Sequence, residues 1–107
     1  MTQTIDLRQE DLAILRAVLR AHLPSDISIW VFGSRATGVA RQYSDIDLAL
    51  EGKEPVALDW LAQLRDALSE SDLTIKADLL DLRVVDPAFR RRIAHEMVPL
   101  HLESECG

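Results

Sequence analysis

The chain has 107 residues, enough to bury one core but short for a protein that must hold two different substrates, so a single domain with its second binding partner elsewhere is expected. Hydrophobic residues make up 48% and charged residues 28%, a composition that excludes a disordered polar chain. The formal net charge of -6 argues against a stable nucleic-acid partner, because holding a phosphate backbone needs clustered Lys and Arg.

Met1-Thr2-Gln3-Thr4-Ile5-Asp6 has neither the basic start nor the apolar stretch of a signal peptide, and no apolar run approaches membrane-spanning length. The one cysteine, Cys106, has no partner for an internal disulfide and lies in an acidic tail, residues 103–107, where disorder is expected. These features predict a cytoplasmic protein without a membrane partner, one domain over 1–107 with a folded core from about 7 to 102.

Leu12, Leu15, Val18, Leu19 and Leu23 recur at helical spacing and predict an amphipathic helix over about 7–22, stopped by Pro24. Ile27-Ser28-Ile29-Trp30-Val31-Phe32 is β-branched and aromatic and reads as a mostly buried strand ended by Gly33. A short helical or looped piece follows from Ser34 to Gly38, and a second strand runs from Asp45 to Leu50. On that strand Ile46, Leu48 and Leu50 point one way, while Asp45, Asp47 and Ala49 point the other. Val56 to Leu68 reads as a helix with Trp60, Leu61, Leu64 and Leu68 on its buried stripe. Ile75 to Leu82 is a third strand, and Asp86-Pro87 supplies a helix N-cap and first-turn proline for a helix reaching about Glu96. Val98 to Leu102 reads as a short edge strand, since Pro99 cannot donate to a central ladder. The alternation of helices and strands predicts one α/β domain with a mixed sheet.

Gly33-Ser34 stands where a strand gives way to a helix. A glycine there lets backbone approach a phosphate closely, and the following N–H groups face an anion, although an ordinary turn with Ser34 as N-cap has the same sequence. Asp45 and Asp47 share one strand face in an apolar segment and repel each other by roughly 3 kcal/mol at about 5 Å and an effective dielectric near 20. A shared cation removes that cost, and two acids on a solvated strand face are the plain alternative. Two further acids, Asp78 and Asp81, lie on the third strand. With Ile75, Ala77 and Leu79 on the core face, Asp78 falls on the opposite face with Lys76, whereas Asp81 has core parity unless the strand has ended. Asp78 is the candidate third ligand, with an ion pair to Lys76 as its structural alternative.

His22, His95 and His101 lack metal-ligand spacing and read as surface residues, and Trp30 and Trp60 read as core. Arg90-Arg91-Arg92 reads as a solvated helix face, and Tyr43 is a candidate for stacking on a base.

Taken in order, Gly33-Ser34-Arg35-Ala36-Thr37-Gly38, Ser44-Asp45-Ile46-Asp47-Leu48 and Ala77-Asp78-Leu79-Leu80-Asp81-Leu82 resemble the DNA polymerase β-type nucleotidyltransferase superfamily. Within it the chain is similar to the minimal nucleotidyltransferases, which consist of little but the catalytic core. The likeness runs from about Ile29 to His101 and takes in Asp86-Pro87-Ala88-Phe89-Arg90. It implies a single-domain polymerase β-like fold, a mixed sheet flanked by helices. It also implies that Gly33 and Ser34 bind the triphosphate of a nucleoside triphosphate, that Asp45 and Asp47 ligate metal, and that Asp78 completes the site and draws the proton from the attacking hydroxyl. For Arg35 two readings stand, a contact to a β- or γ-phosphate or an exposed structural arginine. The implied cofactors are two Mg²⁺ ions roughly 3.5–4 Å apart, with ATP as substrate, in an in-line displacement.

Minimal nucleotidyltransferases are typically paired with a small helical protein. In one branch that partner is a HEPN-domain ribonuclease toxin, and the nucleotidyltransferase acts as antitoxin by moving AMP from ATP to a tyrosine of the toxin. That is the expectation adopted for this chain. A two-chain transferase with a helical substrate-binding subunit and a small-molecule acceptor is one alternative, and a non-catalytic module that neutralises its partner by contact is another.

Overall fold

Four strands form one mixed sheet in the order β3-β2-β1-β4, where β1 is Ser28–Phe32, β2 is Ile46–Glu51, β3 is Ala77–Asp81 and β4 is Val98–Pro99. The computed structural model describes residues 5–24, 26–38 and 45–102. Tyr43, Cys106 and the tail 103–107 lie outside the described residues. β1 pairs antiparallel with both β2 and β4, and β2 pairs parallel with β3 through the crossover helix α3, Leu58–Glu70. The expected mixed sheet flanked by helices is observed.

The main core lies on one face. Ile29 and Val31 of β1 and Ile46, Leu48 and Leu50 of β2 pack there against Leu15 and Leu19 of helix α1, Gln9–His22, and Leu61, Leu64 and Leu68 of α3. This is the stripe that the periodicity predicts, and burying each such side chain stabilises the fold by about 1.5–3 kcal/mol. The opposite face carries a smaller core of Ala49, Leu82 and Ile93, with Trp30, Phe32 and Phe89 packed on it under helix α4, Pro87–Ile93. Both faces of β1 are covered, which is why its sequence is nearly all apolar rather than alternating.

Element ends depart from the expected bounds for identifiable reasons. α3 begins at Leu58 rather than Val56 because the Val56 amide donates to the Asp81 carboxylate at 2.8 Å, which keeps that segment extended. α4 opens as expected, with the Asp86 side chain accepting from the amides of Ala88 and Phe89 at 3.0 and 3.2 Å, but stops at Ile93, where the Glu96 amide turns back to the Ile93 carbonyl. β4 ends at Pro99 instead of Leu102. The Leu100 amide still donates to the Ile29 carbonyl, but the carbonyls of His101 and Leu102 accept from Arg16 and Arg20 of α1. Helix side chains thus replace strand pairing there.

A second tie joins α1 to the loop before β3. Asp11 is only 2% exposed, and its carboxylate accepts from the amide and the hydroxyl of Thr74 at 3.0 and 2.5 Å. Trp60 reaches the end of α1, its indole N–H donating to the His22 carbonyl at 3.1 Å. Arg90 corrects the expectation of a solvated arginine run: its guanidinium pairs with Glu51 and donates to the Leu82 carbonyl, while exposed Arg92 lies over the Phe89 ring, 5.3 Å from its centroid.

Candidate active site

The end of β1 and the beginnings of β2 and β3 meet at one edge of the sheet. Phe32 of β1 is opposite Asp47 of β2, and Asp47 in turn stands beside Asp78 of β3 in the parallel register. Adjacent strands are about 4.8 Å apart, so two carboxylates at one register position on one face are neighbours. Asp45 lies two residues before Asp47, immediately ahead of β2, on the same side by alternation. Asp47 is half-buried, while Asp45 and Asp78 are exposed.

Gly33 closes β1 with a φ of 77° and a ψ of -156°, a left-handed conformation that side-chain-bearing residues rarely adopt. It is a glycine for a second reason as well. A Cβ at this position would overlap a carboxylate oxygen of Asp47. The turn therefore presses its backbone against the central acid, and the one-turn helix α2, Ser34–Thr37, starts from there. The Gly33 carbonyl accepts from the amides of Ala36 and Thr37 at 3.0 and 3.1 Å.

Burial is the main cause that pushes the Asp47 carboxyl above the usual carboxylate range. The charges of Asp78, Asp45 and Glu96 push it the same way, in that order. The site thus stores like-charge repulsion around Asp47, and a bound cation would relieve it. Asp78 is drawn toward Lys76, with 3.9 Å between ammonium and carboxylate. Among the described residues no three acidic, imidazole or thiol side chains are gathered tightly enough to enclose an ion. The donor set of carboxylate oxygens nevertheless suits a hard divalent cation, with Asp47 as its common member.

Asp78 and Asp81 fall on opposite faces of β3, as alternation predicts, with Asp78 beside Asp47 and Asp81 beside Leu50. Asp81 is still within β3, is 6% exposed, and accepts from the amides of Val56 and Arg83 at 2.8 and 2.9 Å, away from the other acids. Arg35 is not the exposed arginine considered above. It is 6% exposed, and its guanidinium donates to the Asp6 carbonyl at 3.0 Å while the Asp6 amide donates to the Arg35 carbonyl, pinning the N-terminal segment to α2. His22, His95 and His101 are exposed, as expected.

Sequence reading missed Glu96, whose carboxylate accepts from the Gly33 amide at 2.8 Å. Its only trace in the sequence is its place just ahead of the edge strand.

The family model for Polymerase beta, Nucleotidyltransferase matches residues 11–105. The chain belongs to this nucleotidyltransferase family. This nucleotidyltransferase is 45% identical over 91 residues to the probable protein adenylyltransferase MntA of Haemophilus influenzae, a match that covers 83% of this chain and 77% of that protein. A solved toxin-antitoxin structure with AMP-PNP is similar with a TM-score of 0.69 at 25% identity, over 88% of this chain and 73% of the other. The fold is also shared with a complex of an MNT antitoxin and the tri-AMPylated HEPN toxin of Shewanella oneidensis, at a TM-score of 0.66 and 22% identity, over 89% and 72% of the two chains. The resemblance drawn from the three motifs is thereby confirmed at the level of family, fold and enzyme class.

Proposed function

We propose that this nucleotidyltransferase transfers AMP from ATP to a hydroxyl, in the first instance a tyrosine of a HEPN-type toxin, and so acts as its antitoxin. The observation that carries the chemistry is the placement of Asp47 between Asp78 and the Gly33 turn. The reading of the acceptor is supported by likeness: the relative at 45% identity is named a probable protein adenylyltransferase, and a structure at 25% identity is a toxin-antitoxin with AMP-PNP.

In this reading Gly33 admits a phosphate close to the backbone and Ser34 offers its hydroxyl to the triphosphate. Asp45, Asp47 and Asp78 would hold Mg²⁺, which when bound polarises the α-phosphate and neutralises the pyrophosphate as it leaves. Asp78, exposed at the rim, takes the proton of the incoming hydroxyl. Arg35 serves the site from beneath by holding α2 to the N-terminal segment. A protein acceptor that docks on this chain brings its own hydroxyl and with it the orientation that contributes several kcal/mol to transfer.

The test is incubation with Mg-ATP and a purified HEPN-type toxin, followed by intact-mass measurement. The partner should gain the mass of AMP on tyrosine, and Asp45→Asn with Asp47→Asn should abolish the gain while the two proteins still associate. An unmodified partner alongside turnover of a small molecule would favour the two-chain transferase. Full protection of cells by the double mutant would favour neutralisation by contact.

A further inference from the structure

The β1–β4 ladder is shorter than the site it supports. Trp30 pairs with Pro99 and Val31 with Val98, and continuing that antiparallel register sets Gly33 opposite Glu96. At Glu96, however, the main chain is no longer a strand, because its amide closes the turn after α4 by donating to the Ile93 carbonyl at 2.9 Å. The Gly33 amide projects toward the β4 side and would lack a main-chain acceptor at this position. The Glu96 side chain fills the gap, accepting from that amide at 2.8 Å across 63 residues of sequence.

We propose that Glu96 is a positioning residue for the nucleotide site: its carboxylate substitutes for the missing strand carbonyl and clamps the left-handed Gly33 turn against Asp47. The inference rests on the reading of Gly33-Ser34 as the triphosphate-binding turn. The clamp acts at a position with no slack. Gly33 holds a φ of 77° and stands in contact with the Asp47 carboxylate, so freeing its amide shifts the phosphate-binding backbone and the central acid together. The carboxylate also carries a cost, since its charge is among those that push Asp47 upward. Packing alone does not explain an acid in this place. A half-buried N–H that needs an acceptor of this reach does.

Three variants separate reach from charge. Glu96→Gln keeps an acceptor oxygen at the same distance and loses the charge. Glu96→Asp keeps the charge and loses one methylene of reach. Glu96→Ala loses both. The first readout is hydrogen exchange of the Gly33 amide by NMR, which needs no activity. Protection is expected in the unchanged protein and in Glu96→Gln, and its loss in Glu96→Asp and Glu96→Ala. The second readout is AMP transfer. Losing one hydrogen bond to a charged group predicts a KM for ATP raised roughly ten- to a hundredfold in the Asp and Ala variants, with a smaller change in kcat and near-complete rescue by Gln. Gly33 protection unchanged in Glu96→Ala, or Glu96→Gln behaving like Glu96→Ala, overturns the proposal. If Gly33 follows the expected pattern but the unchanged protein transfers nothing, the clamp stands and the transfer reading fails.

Discussion

Asp11 and Asp47 are acids of opposite electrostatic character in one small chain, and they predict opposite responses to pH. Burial works to raise the Asp11 carboxyl, but the Thr74 hydroxyl and amide, helped by the charges of Arg8 and Arg35, outweigh it and hold the group below the usual range. The native state then binds fewer protons than the unfolded chain as pH falls below about 4, so the stabilisation is full above the unfolded value and is lost as pH drops through the folded one. Asp11→Asn should cost about 1.5–3 kcal/mol at neutral pH and progressively less in acid, as read from urea midpoints at several pH values. An equal cost at every pH would show that the charge is irrelevant. For Asp47 the sign reverses. Its folded carboxyl is raised, so the native state gains protons relative to the unfolded chain and stability falls as pH climbs through that window. Asp47→Asn should therefore melt at a higher temperature than the unchanged protein at neutral pH while losing transfer, a trade common where a site stores repulsion. A lower melting temperature would mean that Asp47 is structurally satisfied and not strained by its neighbours. Gly33→Ala is different again: the backbone conformation alone costs roughly 1–2 kcal/mol for a side-chain-bearing residue, and the overlap with Asp47 adds to it. It should lower both melting temperature and transfer.

At the scale of elements, legibility followed the range of the interaction that sets each boundary. α1 and the interiors of β1, β2 and α3 were readable because their apolar periodicity is local, and Asp86-Pro87 was readable because an N-cap acts within three residues. Asp86→Ala should accordingly cost about 1 kcal/mol, measured by chemical denaturation, with an unchanged m-value. Boundaries set from afar were not readable: the start of α3 depends on Asp81, and the end of β4 depends on arginines of α1. The site divides in the same way. Asp45, Asp47 and Asp78 could be chosen from strand parity, and the parallel β2–β3 register sets two of them side by side. Glu96 could not, because the contact that brings it to Gly33 spans 63 residues and uses a side chain where a strand would use its backbone. Arg35 carries a family expectation but no local signal of burial, and the returning N-terminal segment, 29 residues away in sequence, accepts from its guanidinium.

Across the whole molecule, one sheet face is closed by two long helices and the other by short α4, and the acids collect at the sheet edge where the Gly33 turn emerges. No described helix is long and apolar enough to cross a membrane. The layout makes stability and ligand binding communicate. The free protein holds Asp47 half-buried among like charges, whereas the unfolded chain separates them, so the repulsion weighs on the native state alone. Mg²⁺ bound with ATP to the folded protein should reverse that burden. At a hundredfold excess over the dissociation constant, linkage adds about 2.7 kcal/mol, which for a chain of this size raises the melting temperature on the order of 10 °C. ATP with a chelator should give much less, since a triphosphate without the cation brings more negative charge to the acids. Asp45→Asn with Asp47→Asn should remove the difference between the two conditions, because the groups that make the cation necessary are gone. Equal shifts with and without Mg²⁺ in the unchanged protein would sink the assignment of these carboxylates as metal ligands, and no shift at all would sink the nucleotide site with them.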